Sequence, residues 1–304
     1  MLILAARHAR ACLVVGLLAG LLLPGLAAWL RPYLPQMVAA LLFLTALRIG
    51  PREAVHSLHA LGRTALAVLV LQLALPLALV ALLVLAGLSL GPLAAAMVLV
   101  LSAPSISGAP NFTLMTGHDP APALRLLVLG TALVPLTALP VFWALPVLGD
   151  PAAVLGAAGR LMAVIFGATG LAFALRLVLA PRLRPQVVTA LDGATAIALA
   201  VVVVALMSAL APALARDPLA VLGWLAAAFA VNFGFQLAAF ALIRQRSADA
   251  VALSIIAGNR NIALFLVALP QATTDPLLIF IGCYQIPMYL TPVLLGRFYG
   301  AAPA

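Results

Sequence analysis

Long apolar runs, separated by short segments rich in proline, glycine and arginine, make up most of this chain. Runs such as residues 200–210 do not alternate between apolar and polar positions, as the strands of a membrane barrel would. Their lengths favour membrane-crossing helices. The pattern predicts ten of them, at residues 11–30, 36–50, 64–87, 92–116, 122–147, 152–175, 187–211, 218–242, 250–269 and 276–296. The expected fold class is an all-α polytopic membrane protein.

Composition narrows the class of protein further. Of the 304 residues, 66% are hydrophobic and 8% are charged, and the mean hydropathy is +1.26. A soluble domain carries about 25% charged residues. A soluble fold, a nucleic-acid-binding protein and a disordered chain are therefore excluded, and the lipid bilayer is the expected environment.

The distribution of arginines predicts the orientation in the membrane, since all 16 basic residues are arginines. If the N-terminus is cytoplasmic, the outer loops hold only Arg31 and Arg216. Arg160 and Arg260 fall inside predicted helices. The bias matches the positive-inside rule and predicts a bacterial inner-membrane protein with both termini cytoplasmic. The inner segments then hold twelve arginines: Arg7, Arg10, Arg48, Arg52, Arg63, Arg125, Arg176, Arg182, Arg184, Arg244, Arg246 and Arg297.

Two predicted helices are interrupted at mid-depth. The fourth contains the sequence APSISGAPN at residues 103–111, and the ninth contains AGNRN at residues 257–261. Five helices separate them, so the two segments cross the membrane in opposite directions. This predicts an inverted repeat of two five-helix halves, residues 1–147 and 148–304. At a spacing of 150 residues the two segments match at Gly108 and Gly258, Asn111 and Asn261, Leu114 and Leu264, and Pro120 and Pro270.

Interrupted helices at membrane depth have two interpretations. Proline and glycine can simply kink an ordinary span. Non-helical backbone, however, is tolerated in a membrane only where it is buried in protein or lines a cavity. Two broken helices that meet at the midplane present half-helix ends that attract ions, and two inverted halves can exchange inward and outward arrangements. The matched positions favour a binding site and secondary transport.

Several motifs also resemble a known family. They are GLLAGLLLP at residues 16–24 with PYLP at 32–35, residues 42–51, LQLALP at 71–76, residues 103–119 with PLTALP at 135–140, and Gly258-x-x-Asn261. In order and spacing they are similar to motifs of the bile acid:sodium symporter family, bacterial homologues included, within the bile/arsenite/riboflavin transporter superfamily.

The resemblance implies a specific architecture. Ten helices would divide into a core domain (helices 3–5 and 8–10) and a panel domain (helices 1, 2, 6 and 7), with broken helices 4 and 9 crossing in the core. Substrate would bind between the domains, near that crossing. Asn111 and Asn261 fall on the family's paired asparagines, and Ser107 falls on or beside its hydroxyl position.

The sequence departs from the family at the sodium sites. The family has a glutamate and a glutamine in helix 9, where this chain has Ile256 and Arg260. The serine that precedes the asparagine of helix 4 is replaced by Pro110. Because sodium needs several oxygen ligands, sodium coupling through these sites is not expected, and no other cofactor or metal is predicted.

Arg260 is the most informative residue, because an ionisable side chain at mid-bilayer is costly and marks a functional site by default. We hypothesise that its guanidinium replaces the cation electrostatically and helps to hold an anionic substrate. The alternative is a structural ion pair with Asp192. Asp192 could otherwise couple transport to protons or stay solvated near its helix end, and Arg160 could extend along the crevice wall.

The predicted function is alternating-access transport of a small or amphipathic organic anion. The alternatives are a sodium-coupled symporter with non-standard cation sites, a proton-coupled or uniport carrier, and a channel or receptor. No enzyme is predicted, since the spans contain no paired carboxylates or Ser/His pair, and no nucleic-acid partner is expected. The predicted substrate-binding residues are Ser107, Gly108, Asn111, Gly258, Asn259, Arg260 and Asn261. Gln72 and Asp192 are possible ion-coupling residues, and Gln236 is expected to join helices.

Overall fold

The computed structural model describes residues 1–57, 61–145, 151–179, 183–245 and 247–300. Arg182, Arg246 and the predicted boundary between the two halves, at residues 147 and 148, lie outside these ranges. The described residues form 17 α-helices and contain no β-strand. The helices are α1 Leu2–Arg7, α2 Ala9–Leu22, α3 Pro24–Leu30, α4 Leu34–His56, α5 Leu61–Leu69, α6 Leu75–Leu85, α7 Pro92–Ser102, α8 Ala109–Met115, α9 Ala121–Trp143, α10 Pro151–Leu179, α11 Pro185–Leu206, α12 Leu210–Arg216, α13 Pro218–Ile243, α14 Ala250–Gly258, α15 Gln271–Thr274, α16 Leu278–Leu294 and α17 Gly296–Tyr299.

Within the described residues, seven helical segments are long and apolar enough to cross a membrane. The shorter helices Ala11–Leu22 and Pro92–Ser102 are also apolar. The all-helical, polytopic fold class is thus confirmed at this level, and so is a multi-pass association with the bilayer. The seven segments are Pro24–His56, Leu61–Leu85, Ala121–Trp143, Pro151–Val178, Pro185–Arg216, Pro218–Ile243 and Gln271–Leu294.

The second predicted helix, 36–50, was placed too short. In the structure α4 runs from Leu34 to His56, and a break in the backbone lies within it at Gly50, whose φ is +77° and ψ is 161°. Pro51 follows, and it has no N–H to donate to the carbonyl of Leu47. Because glycine adopts positive φ without a steric penalty, the helix bends here and then continues.

The helices pack in two groups. In the first group, α2 packs against α11 and α10 packs against α4. Helices α1, α3 and α4 also pack against α11. In the second group, α13 packs against α14 and α16, α5 packs against α9, and α6 packs against α7. The groups meet where α9 contacts α10 and where the 3₁₀ segment Ile262–Val267 contacts α4 and α10.

Helix α7 packs against α6, α9 and α16 in the second group. It is only 11 residues long, and eight of these residues are buried. Its final residues Val98, Leu99, Val100 and Leu101 are at most 1% exposed. A helix that is apolar on all sides is buried on all sides. The end of α7, where the chain leaves the helix, is therefore enclosed by protein.

Candidate functional site

The two interrupted segments meet in the interior and pair through their backbones. Ser105 and Arg260 form an isolated antiparallel bridge. The N–H of Ile106 donates to the carbonyl oxygen of Asn259 at 3.2 Å, and the N–H of Asn261 donates to that of Pro104 at 2.8 Å. Buried backbone groups need partners. Each broken helix therefore supplies the hydrogen bonds that the other has lost, and we call this pairing the crossing.

Local sequence explains where the helices break. Ala103 precedes Pro104 and adopts extended angles, φ −67° and ψ 151°, because the proline ring disfavours the helical region for the residue before it. Asn259 ends α14 with φ −105° and ψ 91°. After the crossing the chain resumes as α8 on one side and as the 3₁₀ segment Ile262–Val267 on the other.

The residues that pair at the crossing differ from those that the spacing of 150 residues matches in the sequence. A spacing of 150 places Gly108 on Gly258, but Gly258 is the last residue of α14, whereas Gly108 precedes the first residue of α8. The residues paired at the crossing, Ser105 and Arg260, are 155 apart. Of the matched pairs, only the two glycines lie on opposite sides of the break.

Arg260 is buried beneath the crossing, with 1% of its surface exposed. Its three nitrogens each donate to a main-chain carbonyl at 3.2 Å: Nε to Ala257, Nη1 to Ala103 and Nη2 to Leu71. Ala103 and Ala257 lie at the C-terminal ends of α7 and α14, where carbonyls lack helical donors and the helix dipole is negative. The guanidinium thus occupies a cage of oxygen atoms, as a bound cation would.

The third carbonyl of this cage is free for a reason that the sequence encodes. Residues Val70–Ala74 form a π-helical turn, in which the N–H of Leu75 donates to Val70. The next donor in that pattern would be Pro76, which has no N–H. The carbonyl of Leu71 is left without a helical partner, and Nη2 of Arg260 takes that place.

A buried polar network fixes the second broken segment from the other side. The amide of Asn232 donates to the carbonyl of Gly258 at 2.6 Å and to Oδ1 of Asn259 at 3.3 Å. The amide of Gln236 donates to Oδ1 of Asn232 at 2.6 Å and to Oγ1 of Thr291 at 3.0 Å. Asn259 is fully buried. Its side chain therefore holds the backbone in place and does not face an open surface.

The predicted site residues divide by accessibility. Gly258, Asn259 and Arg260 are buried. Ser107, Gly108 and Asn261 are partly exposed, and Asn111 is exposed. The side chains of Ser107, Asn111 and Asn261 make no hydrogen bond within the described part of the chain, so their polar groups are available to a ligand. The crossing thus brings the two predicted segments together, and within them buried residues stand beside accessible ones. We call the edge formed by Ser107, Gly108, Asn111 and Asn261 the open edge.

The two possible ion-coupling residues lie apart from each other. Gln72 is 2% exposed in the π-helical turn, where its Oε1 accepts a hydrogen bond from Thr137 of α9 at 3.1 Å. Asp192 pairs with Arg48 at 2.9 Å, between α11 and α4. An ion pair between Asp192 and Arg260 is therefore not formed.

Sequence reasoning missed three groups near the crossing. Asn232 was overlooked, although Asn232 and Gln236 are four residues apart on one face of an apolar helix, which is a detectable signal. Tyr284 donates from its hydroxyl to the carbonyl of Gly258. The ring of Tyr289 meets Phe112 edge-on at 6.4 Å, and its hydroxyl oxygen is shielded with no partner among the described residues.

The segments on either side of the crossing pack against different helix groups. Helices α8 and α14 pack against each other and against α9, all in the second group. The 3₁₀ segment Ile262–Val267 packs against α4 and α10 of the first group. The chain that follows this segment is held at two points by that group. Nε of Arg160 donates to the carbonyl of Ala268 at 2.8 Å, and Arg31 pairs with Asp275.

No family model matches this chain, and no curated protein sequence matches it. The family resemblance therefore rests on the quoted motifs alone.

Proposed function

We propose that this protein is a secondary transporter that moves a small or amphipathic organic anion across the bacterial inner membrane by alternating access. One observation carries the proposal: two broken helices meet at the bridge between Ser105 and Arg260 in a multi-pass helical protein. Interrupted backbone at membrane depth is tolerated only where it is buried in protein or lines a cavity. Crossed half-helices are the usual architecture of midplane sites in secondary transporters.

The packing of the helices supports two inverted five-helix halves. Suppose that α2 corresponds to α10, that α4 corresponds to α11, and that the segment after α7 corresponds to the segment after α14. The contacts of one half then have counterparts in the other. The contact of α2 with α11 corresponds to that of α10 with α4, and the contact of α13 with α16 corresponds to that of α5 with α9. The first group then corresponds to a panel domain and the second to a core domain.

An anionic substrate is favoured by the charge at the crossing. Residues 103–108 and 259–261 contain one charged side chain, that of Arg260, and no acid. The open edge beside it offers the hydroxyl of Ser107 and the amides of Asn111 and Asn261. We propose that these groups bind the substrate, while the buried guanidinium contributes a positive potential that the low-dielectric interior screens weakly.

The same guanidinium makes sodium coupling unnecessary in this proposal. It donates to carbonyls of Ala103, Ala257 and Leu71, the kind of oxygen cage that would otherwise attract a metal cation. A tethered cation cannot dissociate during the cycle, so it provides charge without coupling. We infer transport that does not depend on sodium, by uniport, exchange or proton coupling.

The contacts between the two helix groups are consistent with an inward-facing arrangement. The 3₁₀ segment Ile262–Val267 and the following residues contact the first group on the predicted outer side, through Arg160 and Arg31. We call residues 268–275 the strap. Alternating access would then require the strap to separate from Arg31 and Arg160 when the site opens outward.

The test is uptake by proteoliposomes of a panel of labelled organic anions, from short carboxylates to amphipathic sulfonates. The expected result is saturable uptake that is accelerated by unlabelled anion on the opposite side, with empty liposomes and the N111A/N261A double variant as controls. Saturable counterflow identifies a carrier. Non-saturable flux without counterflow identifies a channel, and no flux of any anion would favour a receptor; either result contradicts the proposal.

A further inference from the structure

A second polar feature lies away from the crossing, where α4 bends. The bend leaves the carbonyl of Leu47 without a helical donor, because Pro51 has no N–H. Arg176 of α10 donates from Nη1 to this carbonyl at 3.0 Å. Its guanidinium lies against the bare α-carbon of Gly50, where a Cβ would come within 2.8 Å of Nη2. The bend therefore fixes the position of Arg176.

A cavity of about 410 Å³ adjoins this arginine. Arg52 and Arg176 line its polar wall together with one acid, Glu53, and Ile49, Leu177 and Leu183 form apolar surface beside them. Arg52 forms no ion pair with an acid within the described ranges. The Nε–H of Arg176 is shielded from solvent and has no hydrogen-bond partner there either. Arg48 nearby is already paired with Asp192.

We propose that this cavity binds the phosphate headgroup of an anionic phospholipid. Arginine presents planar pairs of N–H donors that match phosphate oxygens. A basic cavity between transmembrane helices at the cytoplasmic side, with apolar surface next to it, fits a lipid whose headgroup and glycerol region enter together. The positive-inside distribution of arginines predicts that Arg52 and Arg176 lie on that side.

The lipid would occupy the groove between α4 and α10, both of the first helix group. That site is separate from the crossing and does not depend on the transport function. Its residues act on the lipid through their charge. Loss of the positive charge of Arg52 should therefore weaken lipid binding, and loss of the negative charge of Glu53 should strengthen it. Arg52 makes no contact that holds the fold within the described chain, whereas Arg176 also holds the carbonyl of Leu47. Arg52 is therefore the better residue to test.

The experiment titrates the purified full-length protein, in a non-ionic detergent, with fluorescent phosphatidylglycerol and in parallel with phosphatidylcholine. We expect saturable binding of phosphatidylglycerol only. Arg52→Gln should weaken it about 10-fold, the loss of one charge-assisted contact, and Glu53→Gln should strengthen it about 3-fold. Arg63→Gln, an exposed arginine on the same predicted face but outside the cavity, is the matched control and should change nothing.

Three outcomes would overturn the inference: equal binding of phosphatidylcholine, equal effects of Arg52→Gln and Arg63→Gln, or a weaker affinity for Glu53→Gln. Inorganic phosphate is added as a competitor to separate the two sources of the same chemistry. Weak competition supports a lipid, since the apolar wall then contributes to binding. Complete displacement by phosphate at equal concentration would assign the cavity to the free ion and contradict the lipid.

Discussion

The Nη2 of Arg260 donates to the main-chain carbonyl of Leu71 at 3.2 Å, across a sequence separation of 189 residues. Pro76 frees that carbonyl, and the break after α14 places the arginine beside it. A proline in the first half of the chain and a charge in the second half thus depend on each other. The relationship makes Arg260 a structural element of the crossing as well as the source of its charge.

Removal of this guanidinium should affect both stability and transport. In Arg260→Gln at least one of three buried carbonyls loses its donor. The free energy of unfolding should fall by about 1–3 kcal/mol for each carbonyl left unpaired. Thermal unfolding in detergent measures this loss, and binding or uptake of the organic anion should be abolished. Arg260→Lys keeps the charge but not the three-way geometry, and it should retain part of the uptake. Unchanged uptake by Arg260→Gln would refute the role of the charge.

The close approach at Gly258 gives a test of the fold with a matched control. A Cβ at this position would overlap the carbonyl oxygen of Asn232 and lie 2.5 Å from Cγ of Gln236. Gly258→Ala should therefore lower the free energy of unfolding by about 1–3 kcal/mol, as overpacking does. At Gly108 the nearest atom to a new Cβ is 3.7 Å away, in the ring of Phe112. Gly108→Ala should unfold like the parent protein, and equal losses in both variants would contradict the packing described for α14.

Substitutions on the open edge should separate binding from stability. Asn111 and Asn261 make no side-chain hydrogen bond within the described chain, so Asn111→Ala should leave thermal unfolding unchanged. It should raise the KM for the transported anion about 10-fold, the effect of losing one polar contact to a charged ligand.

Asn259→Ala is the control for this prediction. Asn259 bonds Ile255, Asn232 and Thr291 inside the protein, and its removal should lower the unfolding temperature. If Asn111→Ala lowers the unfolding temperature as much as Asn259→Ala, the open edge is structural and does not bind substrate.

Much of the fold could be anticipated from the sequence because its causes are local. Apolar run length predicts helices, and the prolines and glycines around Pro104 and Gly258 predict where they break. The identity of the partners could not be predicted. The pairing of Asp192 with Arg48, and of Arg260 with the carbonyls of Ala103 and Leu71, depends on which helices pack together over separations of more than 100 residues.

The difference between the matched and the paired residues at the crossing has a similar origin. The sequence matches Gly108 with Gly258, but only Gly258 lies against the backbone of another helix. Residue identity alone does not distinguish a glycine that ends one half-helix from a glycine that starts the other. The accessible and buried members of the predicted site differ for the same reason, since Asn111 and Asn259 are the same residue type in different packing environments.

The strap provides a test of the direction in which the site opens. The pair of Arg31 and Asp275 is partly exposed, at 31% and 44% of the side-chain surface, so it is worth about 0.2–1 kcal/mol. Asp275→Arg replaces attraction by repulsion and should favour the outward-open state by about two- to fivefold. Modification of Ser107→Cys by a membrane-impermeant maleimide added from outside measures that population. The half-buried Cys12 is replaced by serine, and the other native cysteine, Cys283, is buried.

The charge swap controls for non-specific effects of the substitution. Arg31→Asp combined with Asp275→Arg restores the attraction and should return the rate of modification to the parent value. Modification from outside that is equally fast in the parent protein, the single variant and the swap would show that the strap does not close the site.

In the proposed mechanism, Arg260 supplies the positive charge of an anion transporter that needs no sodium. The most direct measurement is uptake of the identified anion into proteoliposomes, with sodium and pH gradients imposed separately at zero membrane potential. We predict the same initial rate when external sodium is replaced by N-methylglucamine. Uptake that requires an inward sodium gradient would contradict the claim, because it would mean that an exchangeable cation acts beside the guanidinium of Arg260.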